Sequence, residues 1–227
     1  MSDCEKIKVI SFDVDGTLVD YGFINSIWFE RIPKLYAEEK GVSFEKAESY
    51  VKRQYDRVGE QRLEWYDIEY WFRIFALRGS WRDVIRDCRS EIRVYSEVRE
   101  VLENLRDFKL IVISNSPRAF LDVELEEGQI GGYFQRTFSS VSDFGQTKKK
   151  GELYLKICKF LDISPQEMVH VGDDRNFDFN TPKEVNIVAF YLDRSRRCSG
   201  NFVIHDLSEF EDALKRIAVP DKSTNNE

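Results

Sequence analysis

The chain has 227 residues, of which 42% are hydrophobic, and its formal net charge is -7. This length fits one large domain, or one domain that carries a smaller insertion, and the composition is sufficient for a packed core. The acidic balance argues against general nucleic-acid binding, which favours a basic face. No stretch approaches the roughly 20 apolar residues that span a bilayer, and the first residues lack an apolar signal region. We therefore expect a cytoplasmic protein that binds neither nucleic acid nor membrane.

The four cysteines are far apart and form no Cys-x-x-Cys pair, and the chain has only two histidines. This argues against a zinc site and favours free thiols in a reducing compartment. The sequence does not decide between a monomer and a homodimer.

Short apolar runs at 7–12, 110–113, 168–171 and 187–191 predict four core strands. Residues 202–204 predict a fifth strand, and residues 137–138 predict a short edge piece. Helical patterns separate the runs, as expected for parallel strands that are joined by crossovers. The predicted fold class is therefore α/β, with a doubly wound, mostly parallel sheet.

Several helices that link these strands have recognisable signals. Residues 152–161 keep apolar residues at helical spacing, with Phe160 among those expected to face the core. Ser164, followed by Pro165 and Glu167, predicts a capped helix start, and Ser208 predicts another ahead of a last helix. The polar tail, 221–227, is expected to be disordered.

Residues 19–93 have a different pattern, with four amphipathic helical stripes and no comparable strand candidate. The stripes lie at 24–35, 44–58, 68–75 and 81–88, and they predict a helical insert of bundle type. The predicted domains are a discontinuous core, 1–18 and 94–220, and this insert of 19–93.

The first predicted strand ends in two carboxylates, Asp13 and Asp15, and then continues into Gly16 and Thr17. In open α/β sheets, ligands bind at the strand ends. Burial of an ionised carboxylate without a partner is expensive, so a metal or a cationic ligand is the expected companion. An ordinary Asp-Gly-Thr turn is the alternative interpretation.

Three further polar groups stand at strand ends or helix starts later in the chain. They are Ser114-Asn115, Lys148, and Gly172-Asp173-Asp174 with Asp178 behind it. With the first motif, and in this order, they resemble the haloacid dehalogenase superfamily in its phosphatase branch. The resemblance covers essentially the whole core, whereas the insert is similar to the family's helical cap only in position, length and helix content.

The resemblance implies a phosphatase that works through an aspartyl-phosphate. Asp13 would be the nucleophile, and Asp15 would protonate the leaving oxygen and then activate water. Mg²⁺ is the implied cofactor, held by the carboxylates of Asp13 and Asp173 and by the backbone carbonyl of Asp15. Asp174 and Asp178 compete for a supporting role near the metal, and the family spacing favours Asp178. A surface or helix-capping role is the alternative for either residue.

The same resemblance assigns the substrate's phosphate to Thr17, Ser114 and Asn115, with Lys148 neutralising a phosphoryl oxygen and pairing with Asp13. Lys148 is the first of three consecutive lysines, and such a run alone would indicate a solvated face. Spacing to the later motif selects Lys148, although the family often has a proline at the next position. His170 is expected to be a hydrogen-bonded core residue.

Specificity would come from the cap, where arginines could bind a second anionic group of the substrate. Exposed charges and core aromatics are the alternative interpretation of the same residues. The candidates for the cap's inner face are Arg53, Arg57, Arg62 and Arg73, with Tyr55, Trp65 and Tyr66.

We therefore expect a Mg²⁺-dependent phosphatase that acts on a small phosphorylated metabolite, such as a sugar phosphate or phosphoglycolate. A phosphomutase of the same superfamily is the nearest alternative. A haloacid dehalogenase needs no metal and is expected to lack the second aspartate, but Asp15 is present. A non-catalytic phosphate-binding protein would have lost a catalytic carboxylate or the lysine, and the sequence retains all of them.

Overall fold

The computed structural model describes residues 7–148 and 150–218, so the predicted tail, 221–227, lies outside the described residues. The centre of the fold is a six-stranded parallel sheet in the order β3-β2-β1-β4-β5-β6. All six predicted segments form strands, and the predicted edge piece is a complete strand. The strands are β1 Val9–Phe12, β2 Lys109–Ser114, β3 Arg136–Ser139, β4 Met168–Gly172, β5 Val188–Leu192 and β6 Val203–Ile204.

The α-helices fall into two groups along the chain. Those between β1 and β2 are α1 Gly22–Asn25, α2 Ile32–Lys40, α3 Phe44–Val58, α4 Leu63–Tyr66, α5 Ile68–Phe75, α6 Trp81–Cys88 and α7 Val98–Asn104. Those after β2 are α8 Arg118–Glu127, α9 Ser140–Phe144, α10 Gly151–Leu161, α11 Thr181–Glu184 and α12 Phe210–Ala218. A π-helical segment, Ser26–Arg31, joins α1 to α2 without a break. No helix in the described ranges has both the length and the apolar character needed to cross a membrane.

Helices cover both faces of the sheet. Since successive side chains along a strand point to opposite sides, each strand contributes to the apolar clusters on both faces. Ile10 and Phe12 of β1 pack with α7 and α12 in one apolar cluster. Val9 of β1 packs with Leu153 and Tyr154 of α10 in a second cluster on the other face. This confirms the predicted α/β class.

The helices between residues 22 and 88 form a third apolar cluster, which is rich in aromatic side chains. Trp71 and Phe75 are stacked in its centre, with ring centroids 5.3 Å apart. Phe120 and Val123 of α8 belong to the same cluster. The helical insert therefore packs directly on the helix that follows β2.

The two chain segments that connect the insert to the sheet lie side by side. The backbone N–H of Asp20 donates to the carbonyl of Arg93 at 2.9 Å, and that of Tyr95 donates to Leu18 at 3.1 Å. Val19 and Val94 form an antiparallel bridge between these segments. The chain thus leaves the sheet and returns to it at one place.

Three local predictions were wrong. The Ser164 capping box starts only one 3₁₀ turn, Pro165–Glu167, because β4 begins at the next residue. Asp206, not Ser208, caps the 3₁₀ turn that precedes α12. Phe160 of α10 is 62% exposed and lies against the edge strand, with its ring 5.7 Å from that of Phe138.

Candidate active site

Three adjacent strands bring the predicted site residues to one edge of the sheet. Phe12 of β1 is paired with Val112 of β2 and with Val171 of β4, so the three strands end at nearly the same level. Asp13 is buried directly beyond Phe12, and its backbone N–H donates to the carbonyl of Val171 at 2.9 Å. The groups that follow these strands consequently surround the Asp13 carboxylate.

The tight turn after Asp13 requires glycine at position 16. Gly16 has a φ of 76°, in the left-handed region that other residues rarely adopt. A Cβ atom at this position would clash with the carboxylate of Asp173. The turn therefore allows the backbone at Gly16 to lie close to Asp173, which follows β4.

Lys148 is buried between two carboxylates, with only 2% of its surface exposed. Its Nζ lies 2.5 Å from Oδ1 of Asp13 and 2.5 Å from Oδ1 of Asp178, and it also donates to the carbonyl of Ile113 at 3.2 Å. Burial alone would lower the pKa of Lys148, but the two carboxylates hold it well above its usual range. Lys148 is therefore a fixed cation that faces the predicted nucleophile.

Asn115 holds the Lys148 segment in place. Its amide oxygen accepts hydrogen bonds from the Lys148 backbone N–H at 2.8 Å and from the Ser140 hydroxyl at 2.6 Å. Its amide nitrogen donates to the hydroxyl of Tyr66, in α4 of the insert, at 3.4 Å. The predicted phosphate-binding residue thus also positions the lysine and contacts the insert.

Ser114 and Thr17, the other predicted phosphate-binding residues, are both buried at the same edge. The Ser114 hydroxyl accepts a hydrogen bond from the Ser116 backbone N–H at 2.9 Å, and Ser114 lines the cavity above Asp13. The Thr17 hydroxyl lies 3.5 Å from Oδ1 of Asp173. Sequence reasoning did not give Thr17 this contact with the predicted metal-binding carboxylate.

Asp173 is held by the hydroxyl of Tyr21, which donates to its Oδ2. Burial raises the pKa of Asp173 to about 7, and the neighbouring charge of Asp178 adds to the rise. Sequence reasoning missed Tyr21, because its contact depends on the turn between the first motif and α1.

Asp178 is fully buried and accepts hydrogen bonds from three groups. Besides Lys148, these are the Asp174 backbone N–H at 3.0 Å and Nε2 of His170 at 3.1 Å. Burial would raise the pKa of Asp178, but Lys148 and His170 lower it to about 2. A side chain on Gly172 would clash with this carboxylate, so the glycine permits the close approach.

His170 lies in the core, as predicted, and orients Asp178. Burial lowers its pKa, so the ring is neutral. Since Nε2 faces the Asp178 carboxylate, it carries the proton, and Nδ1 accepts from the Ser11 hydroxyl at 2.7 Å.

Asp174 has a different position from Asp178. Its carboxylate accepts from the backbone N–H groups of Asn176 at 2.8 Å and Phe177 at 2.7 Å, so it caps the π-helical segment Arg175–Asn180. Asp178, and not Asp174, lies in the carboxylate cluster. The structure thus separates the two residues that the sequence left in competition.

The carboxylate cluster fits a hard divalent cation. Oxygen atoms of Asp13, Asp173 and Asp178 lie within 4.8 Å of one another. Burial raises the pKa of Asp13 well above its usual range, and Lys148 opposes this rise only in part. Asp15 lies beside the cluster, and the single positive charge of Lys148 does not balance all of these carboxylates. A set of oxygen donors is the kind of site that Mg²⁺ prefers.

Glu124 of α8 is a buried acid that sequence reasoning missed. It is 0% exposed, and its carboxyl group lies within hydrogen-bonding reach of the side chains of Asp15 and Ser116. Burial raises the pKa of Glu124 well above its usual range, and the nearby charge of Asp15 adds to the rise. Burial also raises the pKa of Asp15. Such an acid on the apolar face of a helix, between Phe120 and Leu125, was visible in the sequence.

Glu124→Gln is expected to stabilise the metal-free fold at pH 8 but not at pH 4. The folded chain keeps a proton on Glu124 that the unfolded chain releases as the pH rises, so stability declines above the unfolded pKa. Glutamine cannot ionise, so it removes this decline. The free energy of unfolding should then rise by about 1.4 kcal/mol for each unit by which the folded pKa of Glu124 exceeds its unfolded pKa. Urea unfolding at both pH values measures the effect, with exposed Glu126→Gln as the control. A variant that is less stable than the wild type at pH 8 would contradict the assignment.

A cavity of about 170 Å³ lies above Asp13, between the sheet edge and the insert. Trp65 and Tyr66 line it, as two of the predicted cap candidates. Tyr55 is instead buried in the insert's aromatic cluster. The four candidate arginines are exposed and do not line this cavity; they are Arg53, Arg57, Arg62 and Arg73.

Arg194, which follows β5, clamps the turn of the first motif. Its guanidinium donates to the carbonyls of Gly16 at 3.1 Å and Thr17 at 2.8 Å. It also stacks on the ring of Tyr95, 3.5 Å from the centroid, and pairs with Glu97 at 2.8 Å. One side chain thus ties the turn to the segment through which the chain returns from the insert.

Comparison with known proteins identifies the family. Residues 7–185 match the haloacid dehalogenase-like hydrolase family. The chain belongs to this family. It is therefore a hydrolase, and the predicted resemblance is confirmed.

Individual haloacid dehalogenase-like relatives are distant in sequence. The GMP/IMP nucleotidase YrfG of Escherichia coli is 23% identical over 171 residues, which cover 74% of this chain and 75% of that protein. Phosphoglycolate phosphatase 1 of Pseudomonas aeruginosa is 26% identical over 74% of this chain and 63% of its own length. A crystal structure of a HAD phosphatase from Thermococcus onnurineus has a TM-score of 0.82 and 22% identity, and the match covers 92% of this chain and 98% of that one. This structural likeness shows the shared fold.

Proposed function

We propose that this hydrolase is a Mg²⁺-dependent phosphatase that cleaves a small phosphorylated metabolite through an aspartyl-phosphate on Asp13. One observation carries the proposal: a buried carboxylate, Asp13, is held by a buried lysine beside a second carboxylate with a raised pKa, Asp15. Two relatives are named as a nucleotidase and a phosphoglycolate phosphatase, which supports phosphate-ester hydrolysis. We also propose that the insert, 19–93, is the cap over this site.

In the first step, the Asp13 carboxylate attacks phosphorus in line with the leaving oxygen. A bond forms between a carboxylate oxygen of Asp13 and phosphorus, which gives a mixed anhydride (the aspartyl-phosphate), while the bond between phosphorus and the leaving oxygen breaks. Lys148 keeps the attacking carboxylate in position, and Ser114 and Asn115 offer hydrogen bonds to the phosphoryl oxygens. Asn115 serves through its amide nitrogen, because its amide oxygen is used to hold Lys148.

Asp15 moves the proton in both steps. A free aspartic acid has a pKa of about 3.9 and would be ionised at neutral pH. Burial raises the pKa of Asp15, which favours the protonated form that the leaving oxygen requires. Asp15 then takes a proton from the water that attacks the phosphorylated Asp13. Hydrolysis restores the Asp13 carboxylate and releases phosphate.

Asp13 and Asp173, with the backbone carbonyl of Asp15, would hold Mg²⁺, which supplies positive charge for the phosphoryl oxygens. Asp178 would support the site without being a ligand, because Lys148, His170 and the Asp174 N–H already occupy its two oxygens.

The proposal is tested by phosphate release from p-nitrophenyl phosphate with Mg²⁺ and with EDTA. Release with Mg²⁺ and its loss in EDTA are expected, and borohydride trapping during turnover should convert Asp13 to homoserine, detectable by mass spectrometry. Absence of phosphate release would overturn the proposal. Phosphate transfer within a hexose phosphate would indicate a phosphomutase instead, and halide release that survives EDTA would indicate a dehalogenase.

Mg²⁺ affinity is expected to fall below pH 7. The Asp173 carboxyl has a pKa of about 7, so a proton must leave before the cation binds at lower pH. Isothermal titration calorimetry should show affinity about tenfold weaker at pH 6 than at pH 8, with proton uptake by the buffer at pH 6. Asp173→Asn should lose this pH dependence along with most of the affinity. Equal affinity of the wild type at both pH values would contradict the role of Asp173.

A further inference from the structure

The cavity above Asp13 has a predominantly aromatic upper wall. The ring centroids of Trp28 and Phe120 lie 5.6 Å apart. The ring centroid of Trp65 lies 6.3 Å from that of Trp28 and 5.1 Å from that of Tyr66. Ile24, Pro117 and Phe177 complete the apolar part of this wall. The part of a substrate that lies beyond its phosphoryl group therefore faces aromatic and aliphatic surface.

Positive charge in this cavity is limited to the phosphoryl end. Of the described residues that line it, Lys148 alone is cationic, and its ammonium already pairs with Asp13 and Asp178. Asp15, Asp173 and Asp174 line the same cavity. A second anionic group on the substrate would find no described cation within the cavity.

A second, larger cavity of about 550 Å³ adjoins the first and shares Tyr66 and Pro117 with it. Arg118 is its one cation among the described lining residues, and it is paired with Asp122 at 3.3 Å and with Asp143. Unpaired negative charge remains, since Asp67 and Glu69 also line this cavity. The lining of this neighbouring cavity is therefore acidic.

We propose that the site selects phosphate monoesters whose alcohol part is uncharged and largely apolar or aromatic, and that it discriminates against those bearing a carboxylate. This inference rests on the proposed phosphatase function. A carboxylate placed against the aromatic wall would lose its hydration without gaining a partner, which is costly. The first cavity is also smaller than ordinary ligand sites of about 300–1,000 Å³, which limits the size of the alcohol part that fits within it.

Two pairs of substrates that differ only in charge test the selection. They are 2-phosphoglycolate with its amide, and 4-carboxyphenyl phosphate with 4-carbamoylphenyl phosphate. We expect kcat/KM with the wild-type enzyme to be at least about tenfold higher for the amide in each pair. Equal or higher kcat/KM for the acids would overturn the inference while leaving the phosphatase function intact. If the enzyme hydrolyses neither the amides nor p-nitrophenyl phosphate, the phosphatase function itself would be overturned.

A matched pair of variants tests whether the cavity wall is the source of the selection. Ile24 is half-buried and lines the cavity, and lysine and methionine at this position are similar in length but differ in charge. Ile24→Lys should reduce the amide-to-acid ratio of kcat/KM severalfold relative to Ile24→Met. An unchanged ratio in folded Ile24→Lys, checked by circular dichroism, would contradict the assignment to this wall. If Ile24→Lys does not fold, the comparison of the two substrate pairs with the wild-type enzyme still tests the discrimination against carboxylates.

Discussion

Asp13→Asn is expected to abolish phosphate release, with a loss of at least about 10⁴-fold in kcat. An amide cannot replace the carboxylate as the nucleophile, so no phosphorylated intermediate forms. The variant should remain folded, because it removes one negative charge from a crowded cluster of carboxylates. Phosphate release from p-nitrophenyl phosphate with Mg²⁺ measures the loss, and thermal unfolding checks the fold.

Asp20→Asn is the matched control for this variant. Asp20 lies in the same loop, and within the described residues its side chain accepts one hydrogen bond, from the Gly22 backbone N–H at 2.8 Å, which an asparagine oxygen can also accept. This control should retain most of the activity. Substantial activity in folded Asp13→Asn would remove Asp13 from the mechanism.

Lys148→Met is expected to destabilise the chain by about 3–5 kcal/mol at pH 7, in addition to inactivating it. The substitution leaves the buried carboxylates of Asp13 and Asp178 without the ammonium that lies 2.5 Å from each. Since Lys148 also holds the pKa of Asp178 at about 2, the variant should take up a proton that the wild type does not. Its deficit in stability should therefore shrink as the pH is lowered toward 5.

Urea unfolding across this pH range measures the effect, with Lys150→Met as the control. Lys150 is exposed at the start of α10, and its side chain makes no capping hydrogen bond. We expect the control to match the wild type within about 0.5 kcal/mol. Equal stability of Lys148→Met and the control would show that the buried ion pairs contribute nothing to the fold.

The strands and their polar ends were predictable because two independent rules agree. A buried parallel strand has a continuous apolar run, and the carboxyl ends of adjacent parallel strands meet at one edge. Asp13, Ser114 and Asp173 each follow such a run, and the sheet order places β1 between β2 and β4. The apolar runs do not specify that strand order, which comes from the structure.

Other features depend on tertiary contacts that no local pattern encodes. The Tyr21 hydroxyl reaches Asp173 only because of the turn at Gly16, and Arg194 reaches that turn from 177 or more positions away in the chain. The Ser164 capping box was a valid helix signal, but pairing of β4 with β1 began at Met168 and ended the helix after one turn. At this turn, local propensity determined the start of the element, and long-range pairing determined where it stopped.

The adjacency of the two connecting segments has a consequence for how this enzyme can diversify. Because Val19 and Val94 are bridged and their neighbours are hydrogen-bonded, everything between them is one closed excursion from the sheet. The entropy of closing such an excursion grows only slowly with its length. The helices between these segments can therefore change in length without a change in strand register, provided that Tyr21 and Tyr66 keep their contacts with Asp173 and Asn115.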